Sequence, residues 1–300
     1  MGEIRIGVSG WRYEGWRGEF YPDDLAQRRE LEYASRAFRT LEINGSFYSL
    51  QSPRSYAAWY RDTPGDFMFT VKGGRYVTHV RRLRDVTGPL ANFFASGVFN
   101  LREKLGPFLW QFPPNFRYQP ELMEAFLELL PRDLEAARAL ARRRDDWMKG
   151  RAALAIGENR RLQHAVEIRN ATFLNESFVA MLRRHDVALV MSDSAGKWPY
   201  CEDVTSDFVY LRLHGEGEIY SGQYSDAAIE HWTRRIRAWA EGREPADAQR
   251  IASKAARKRR SRDVYCYFDN DAKVKAPADA RRLMARLGIA WNPAPLAATA

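Results

Sequence analysis

The sequence predicts an α/β protein built as a single TIM-type (β/α)8 barrel with arginine-rich insertions before strands five and eight. Three observations carry this. Eight short strand-like runs recur along almost all of the 300 residues. Stretches with helical apolar spacing separate most of them. Nearly every run ends in a polar residue able to do chemistry. Eight βα units in about 250 or more residues are the pattern of this barrel, whose active sites lie at the C-terminal ends of the strands. The barrel is expected over residues 1–290, with WNPAPLAATA (291–300) as a loose tail.

Strand one is IRIGV (4–8), followed by the aromatic loop SGWRYEGWRGEFYPDD. Helix one then places Leu25, Leu31, Tyr33, Ala34 and Phe38 on an inner face. Strand two is TLEIN (40–44). A helix is predicted to start at Ser52-Pro53, because serine caps and proline suits the first turn. Strand three, FMFTVK (67–72), ends at Gly73-Gly74, and helix three is expected over 89–104. Strand four, FLWQF (108–112), stops at Pro113-Pro114, since proline cannot donate to a ladder. Helix four is read from 121 to past 140, leading into RRRDDWMKGRAALAIGENRR (142–161). Strand five is HAVEIR (164–169), helix five spans 176–185, and strand six is ALVMSD (188–193). No helix is expected over 194–207, so the sixth unit is degenerate. Strand seven is FVYLRLH (208–214), followed by a Gly/Tyr-rich loop and a helix over 226–240. Strand eight is VYCYFD (264–269), with a last helix over 278–287. Strands apolar on both faces fit a buried parallel sheet. A doubly wound sheet would call for a G-x-G-x-x-G turn, and the first turn reads G-V-S-G-W-R.

Hydrophobic residues make up 45% of the chain, enough for a substantial core. The formal net charge of +9 suits anionic partners. Cys201 and Cys266 stand far apart, which argues against a disulfide framework or a cysteine zinc site. The chain enters strand one without an apolar leader, and no run approaches the roughly 18 apolar residues of a membrane span. A cytoplasmic protein with no membrane association is expected. The most basic tract, KAARKRRSR, opens at Lys254 and closes at Arg262, in a helix-to-strand connection opposite the catalytic loops. It reads either as a solvated, loosely ordered segment or as a contact for nucleic acid.

The strand ends present Ser9, Glu42 with Asn44, Lys72, Gln111, Glu167 with Arg169, Asp193, Arg212 with His214, and Asp269 with Asn270. Side chains two apart on a strand share a face, so Glu42 and Asn44, Glu167 and Arg169, and Arg212 and His214 point together. So many polar groups at one level predict a ligand site, because isolated charges are costly to bury. Tyr210 shares strand seven, and Trp11, Tyr220 and Tyr224 lie in loops that follow strand ends, where aromatic faces can stack on sugars or bases. Glu167–Arg169 is either a self-satisfying ion pair or a clamp on a hydroxyl or phosphate. Gly73-Gly74 would let a ligand approach the backbone.

Two chemistries fit. In one, Glu42 and Glu167 are general acid and base. Lys72, Arg169 and Arg212 hold an anion, and Asp193 and His214 tune or shuttle protons. In the other, Glu42, Glu167, Asp193, His214 and Asp269 hold divalent metal, with Lys72, Arg169 and Arg212 opposing it electrostatically. No cofactor is predicted for the first. The partners that fit are a small anionic or sugar-like ligand and, through the basic tract, nucleic acid. A non-catalytic binding protein would carry the same pocket.

The segments SGW (9–11), EINGSFY (42–48), FTVKGG (69–74), LGPFLWQFPP (105–114), VEIRN (166–170), YLRLHG (210–215), YSGQYSD (220–226) and YCYFDND (265–271) together resemble the domain-of-unknown-function-72 (YecE-like) family over nearly the whole chain. The resemblance implies a TIM-type barrel and carries no reaction, the family being known for its fold. It also implies a fold-level analogy to endonuclease-type barrels. As site residues it carries over Glu42, Lys72, Gln111, Glu167, Arg169, Tyr210, Arg212, His214 and Asn270, with Asp193 at the end of strand six. The chain departs from the family pattern at AKVKAPADA after YFDND, and in the arginine-rich segments 141–161 and 243–262.

Overall fold

The structure is a computed structural model that describes residues 1–292. Eight parallel strands follow one another in a closed barrel, in the order β1 to β8. They are β1 (Ile4–Ser9), β2 (Thr40–Ile43), β3 (Met68–Lys72), β4 (Leu105–Gln111), β5 (His164–Glu167), β6 (Ala188–Asp193), β7 (Phe208–Leu213) and β8 (Asp263–Phe268). The helices are α1 (Glu30–Ala37), α2 (Gly45–Tyr48), α3 (Pro53–Asp62), α4 (Thr87–Ala95), α5 (Pro120–Leu129), α6 (Leu134–Ala141), α7 (Glu176–His185), α8 (Asp226–Ala240) and α9 (Lys275–Leu287). The chain divides into two compact units: Met1–Glu42 with the chain from Leu174 onward, and Ile43–Phe173. The expected tail at 291–300 lies largely outside the described residues. Within them, the Trp291 indole donates to the Ser35 carbonyl at 3.0 Å.

In the first unit, β1 pairs with both β2 and β8, and β7 pairs with β6 and β8. The register sets Ser9 beside Glu42 and Arg212 beside Tyr267. β1, β2 and β7 are buried along their whole length, so both faces are dry and the apolar runs are explained. α7 starts where Asn175 accepts from the Ser177 amide, and α8 where Ser225 accepts from that of Ala228. As the sequence predicts, no helix joins β6 to β7 among the described residues. Residues Cys201 through Ser206 are instead buried, and the Glu202 and Asp203 carboxylates accept from the amides of Gln249, Ile251 and Ala252.

In the second unit, β3 pairs with β4 and β4 with β5. α3 begins as predicted, with Ser52 accepting from the Ser55 amide and Pro53 in the first turn. Two expected helices are shorter than the spacing suggests. The helix over 89–104 breaks after α4 at Gly97, whose φ of +104° only glycine adopts readily, and a Cβ there would lie 2.5 Å from the Pro53 Cα. A 3-10 segment, Val98–Lys104, follows. The helix from 121 past 140 is two helices, α5 and α6. Pro131 separates them, and Asp133 caps the second by accepting from the Ala136 amide at 2.8 Å.

Candidate functional site

In the first unit a polar cluster is built at the C-terminal ends of β1, β2, β7 and β8. Arg212 is at its centre, 1% exposed. Its Nη2 donates to Glu42 Oε1 at 2.9 Å, to Asp269 Oδ2 at 2.8 Å and to Ser9 Oγ at 2.9 Å, and its Nε donates to Glu42 Oε2 at 3.1 Å. Glu42 also accepts from the Ser9 hydroxyl at 2.5 Å and from Tyr210 at 2.7 Å. Glu42 is thus a fully buried carboxylate held by two guanidinium bonds and two hydroxyls. Asp269 lies 3.0 Å from His214 Nδ1. The His214 ring in turn packs edge-on against Trp198 and Tyr220.

Asp271, which the strand-end reading passed over, belongs to this cluster. Burial and the neighbouring Asp269 carboxylate push its carboxyl up to about 6. Its backbone is held by the Trp16 indole, which donates to the Asp271 carbonyl at 3.2 Å. The same two carboxylates, with burial as the larger cause, raise the Tyr13 phenol, which donates to the Ser9 carbonyl. The signal in the sequence was FDND itself, which sets a second carboxyl two residues after Asp269.

Asp193 accepts from Tyr224 at 3.0 Å, and burial raises its affinity for a proton. Both line a cavity of about 410 Å3 with Trp198, Glu216, His231 and Trp232. Tyr224 also receives the Gly215 amide at 3.1 Å, so its hydroxyl ties the β7 loop to β6. Asn270, expected to bind ligand, is fully buried and donates to the Gly222 carbonyl and to Asp279, each at 2.9 Å, fastening the loop after β8 to α9. Trp11 is 7% exposed and its carbonyl accepts from Tyr21 at 2.6 Å. Tyr220 is 36% exposed, with a positive φ of 66°.

A second polar cluster lies within the other unit. Arg169 donates to Glu167 Oε1 at 2.9 Å and to Gln111 Oε1 at 3.0 Å, so the self-satisfying ion pair is formed. Lys72 Nζ stands over the Phe47 ring at 4.5 Å. Burial and the cations Lys72, Arg169 and Arg75 push His79 down to about 4, a record of concentrated positive charge. Asn44 precedes α2, and its Oδ1 is buried without a hydrogen-bond partner among the described residues. Gly73 does not serve ligand approach: a Cβ there would meet the Trp110 ring at 2.3 Å, so the missing side chain makes room for the indole.

The carboxylates expected to share a metal are engaged otherwise: Glu42 and Asp269 with Arg212, Glu167 with Arg169, and Asp193 with Tyr224. Among the described residues no three His, Cys, Asp or Glu side chains converge as a metal site would need. No helix among them is long and apolar enough to cross a membrane.

The chain is similar to known proteins over most of its length. A DUF72 family protein of Thermotoga maritima superposes with a TM-score of 0.70 at 25% identity, over 95% of this chain and 99% of that one. A DUF72 family protein of Enterococcus faecalis, at 16% identity, shares the fold with a TM-score of 0.69, over 98% of this chain and 100% of that one. The UPF0759 protein YunF of Bacillus subtilis is 31% identical over 123 residues, 39% of this chain and 43% of that protein, so the match spans less than half of that relative's length. The family model for the protein of unknown function DUF72 matches residues 5–299. The chain therefore belongs to the DUF72 family.

Proposed function

We propose that this protein is an enzyme that performs general acid–base chemistry on a polar ligand, anionic or polyhydroxylated, with Asp271 as the proton-transferring group. One observation carries the reading: Asp269 and Asp271 follow the same strand yet sit in opposed environments. Asp269 is held against Arg212 and His214, while Asp271 keeps its proton up to about pH 6. Two nearby carboxyls whose surroundings drive them apart are how a protein obtains an acid and an anion at one pH. Asp271, a proton donor below about 6 and an acceptor above, would move the proton. Arg212 would hold Asp269 and Glu42 in place. The ligand class is supported separately in each unit. The first has an aromatic- and carboxylate-lined cavity suited to a hydroxylated ring, and the second concentrates Lys72, Arg75 and Arg169 around a neutral His79.

The test has two parts. Carboxyl-carbon NMR should find Asp271 titrating near 6; titration near the ordinary value of about 4 would sink the assignment. A turnover screen of sugar phosphates, nucleotides and free sugars should yield a reaction that Asp271→Asn slows by about a hundredfold or more, the usual range for a lost general acid or base. A variant that retained the wild-type rate would move the chemistry elsewhere.

A further inference from the structure

The basic tract before β8 does not simply fan into water. Arg262, its last residue, is 2% exposed. Its Nη2 donates to the Arg257 carbonyl at 2.8 Å, while its Nε and Nη1 are buried with no hydrogen-bond partner among the described residues. Arg183, in the last turn of α7, shows the same pattern. Its Nε and Nη1 donate to the Val204 and Lys254 carbonyls at 3.3 and 3.0 Å, and its Nη2 is buried without a partner. Both arginines line a cavity of about 350 Å3, together with Arg257, Arg259, Ser206 and Asp186. That lining sets four guanidinium groups against one carboxylate, and the Asp186 carboxylate already accepts from the Ser206 hydroxyl at 2.8 Å.

The surroundings hold this arrangement in place. Asp203 accepts from the amides of Ile251 and Ala252, Glu176 from Ser253 and Glu244 from Ala256. The tract is thus pinned by carboxylates before its arginines turn back to the cavity. A guanidinium taken out of water is costly unless an anion or several acceptors meet its donors. Here burial and Arg259 weaken Arg262's hold on its proton, with Glu244 opposing them. Four guanidinium groups lining one small cavity against a single carboxylate suit a compact tetrahedral oxyanion, which accepts from several directions at once.

We propose that this cavity, at the ends where β6, β7 and β8 begin, is a binding site for a phosphate group, either free phosphate or the phosphate of a small metabolite. It sits at the opposite end of these strands from the Arg212 cluster, in the same unit, and is independent of the proposed acid–base chemistry.

Titration calorimetry with inorganic phosphate at constant ionic strength tests it, with a sugar monophosphate and a short DNA duplex as parallel ligands. Saturable one-site binding of phosphate is expected, weakened about tenfold or more in Arg262→Lys and in the surface pair Arg257→Gln/Arg259→Gln, as loss of charge-assisted hydrogen bonds should do. Should Arg262→Lys fail to fold, the surface pair keeps the test. Tighter binding of the monophosphate assigns the site to a metabolite, and tighter binding of phosphate to the free ion. Absence of saturable phosphate binding, binding equal to wild type in both variants, or duplex binding that phosphate does not displace would each overturn the proposal.

Discussion

At the scale of single residues, Arg212 is the centre of the buried polar cluster in the first unit. It neutralises Glu42 and Asp269 out of water, so Arg212→Met should lower unfolding free energy in urea by about 3–5 kcal/mol, the cost of orphaned buried charge. Adding Glu42→Gln should recover part of that loss. Recovery of nothing would show that Glu42 is not the charge Arg212 offsets. Asp271 and His79 make opposite contributions to pH dependence. The folded pKa of Asp271, about 6, lies above the unfolded value of about 3.9, so its contribution is present at low pH and is lost as pH rises across that interval. Asp271→Asn should therefore raise stability at pH 7 by about 1–2 kcal/mol once solvent screening is allowed for. The folded pKa of His79, about 4, lies below the unfolded value of about 6.5. Its contribution is present above 6.5 and is lost as pH falls toward 4. The thermal-unfolding midpoint of His79→Gln should rise less with pH than that of wild type between about 4 and 6.5, and parallel pH profiles would contradict the reading.

At the scale of elements, glycine and proline decide where helices and strands stop, and they do so through tertiary contacts. Gly97 ends α4 because the chain turns through a positive φ against Pro53. The periodicity of 89–104 alone gave no sign that a neighbouring helix closes that space. Gly73 shows the same limit. Its position after β3 suggested a ligand-facing backbone, yet Trp110 of β4 fills the room, and only the β3–β4 register reveals it. Gly73→Ala should cost about 1–3 kcal/mol by overpacking against the indole, measurable by urea denaturation with Trp fluorescence. An unchanged midpoint would mean that Trp110 moves freely.

At the scale of the molecule, the two cysteines report on global order. Cys201 and Cys266 are both buried, and burial raises both thiols, so thiolate is scarce at neutral pH. A chromogenic disulfide reagent should label neither in the native protein, and labelling on adding urea should follow the loss of secondary structure. Fast native labelling would show that the strands carrying these residues open locally. The charge of +9 also has a structural meaning. Part of it is exposed at Arg257 to Arg260, and part is folded inward at Arg262.

The alternation of strand-like and helix-like runs determined the barrel by itself, because buried parallel strands must be apolar on both faces and each needs a long crossover connection, usually a helix. The polar strand ends were legible for the same reason: charges interrupting such strands stand out. Which of those groups neutralise one another was not legible. Glu42 and Arg212 lie 170 positions apart, and only the β1–β2, β1–β8 and β7–β8 pairings bring them within 2.9 Å. The split between Asp269 and Asp271, the buried Arg262 and the Trp110 that fills the space at Gly73 were likewise decided by tertiary structure. Burial and partner distance are properties of the folded chain, and local sequence encodes neither.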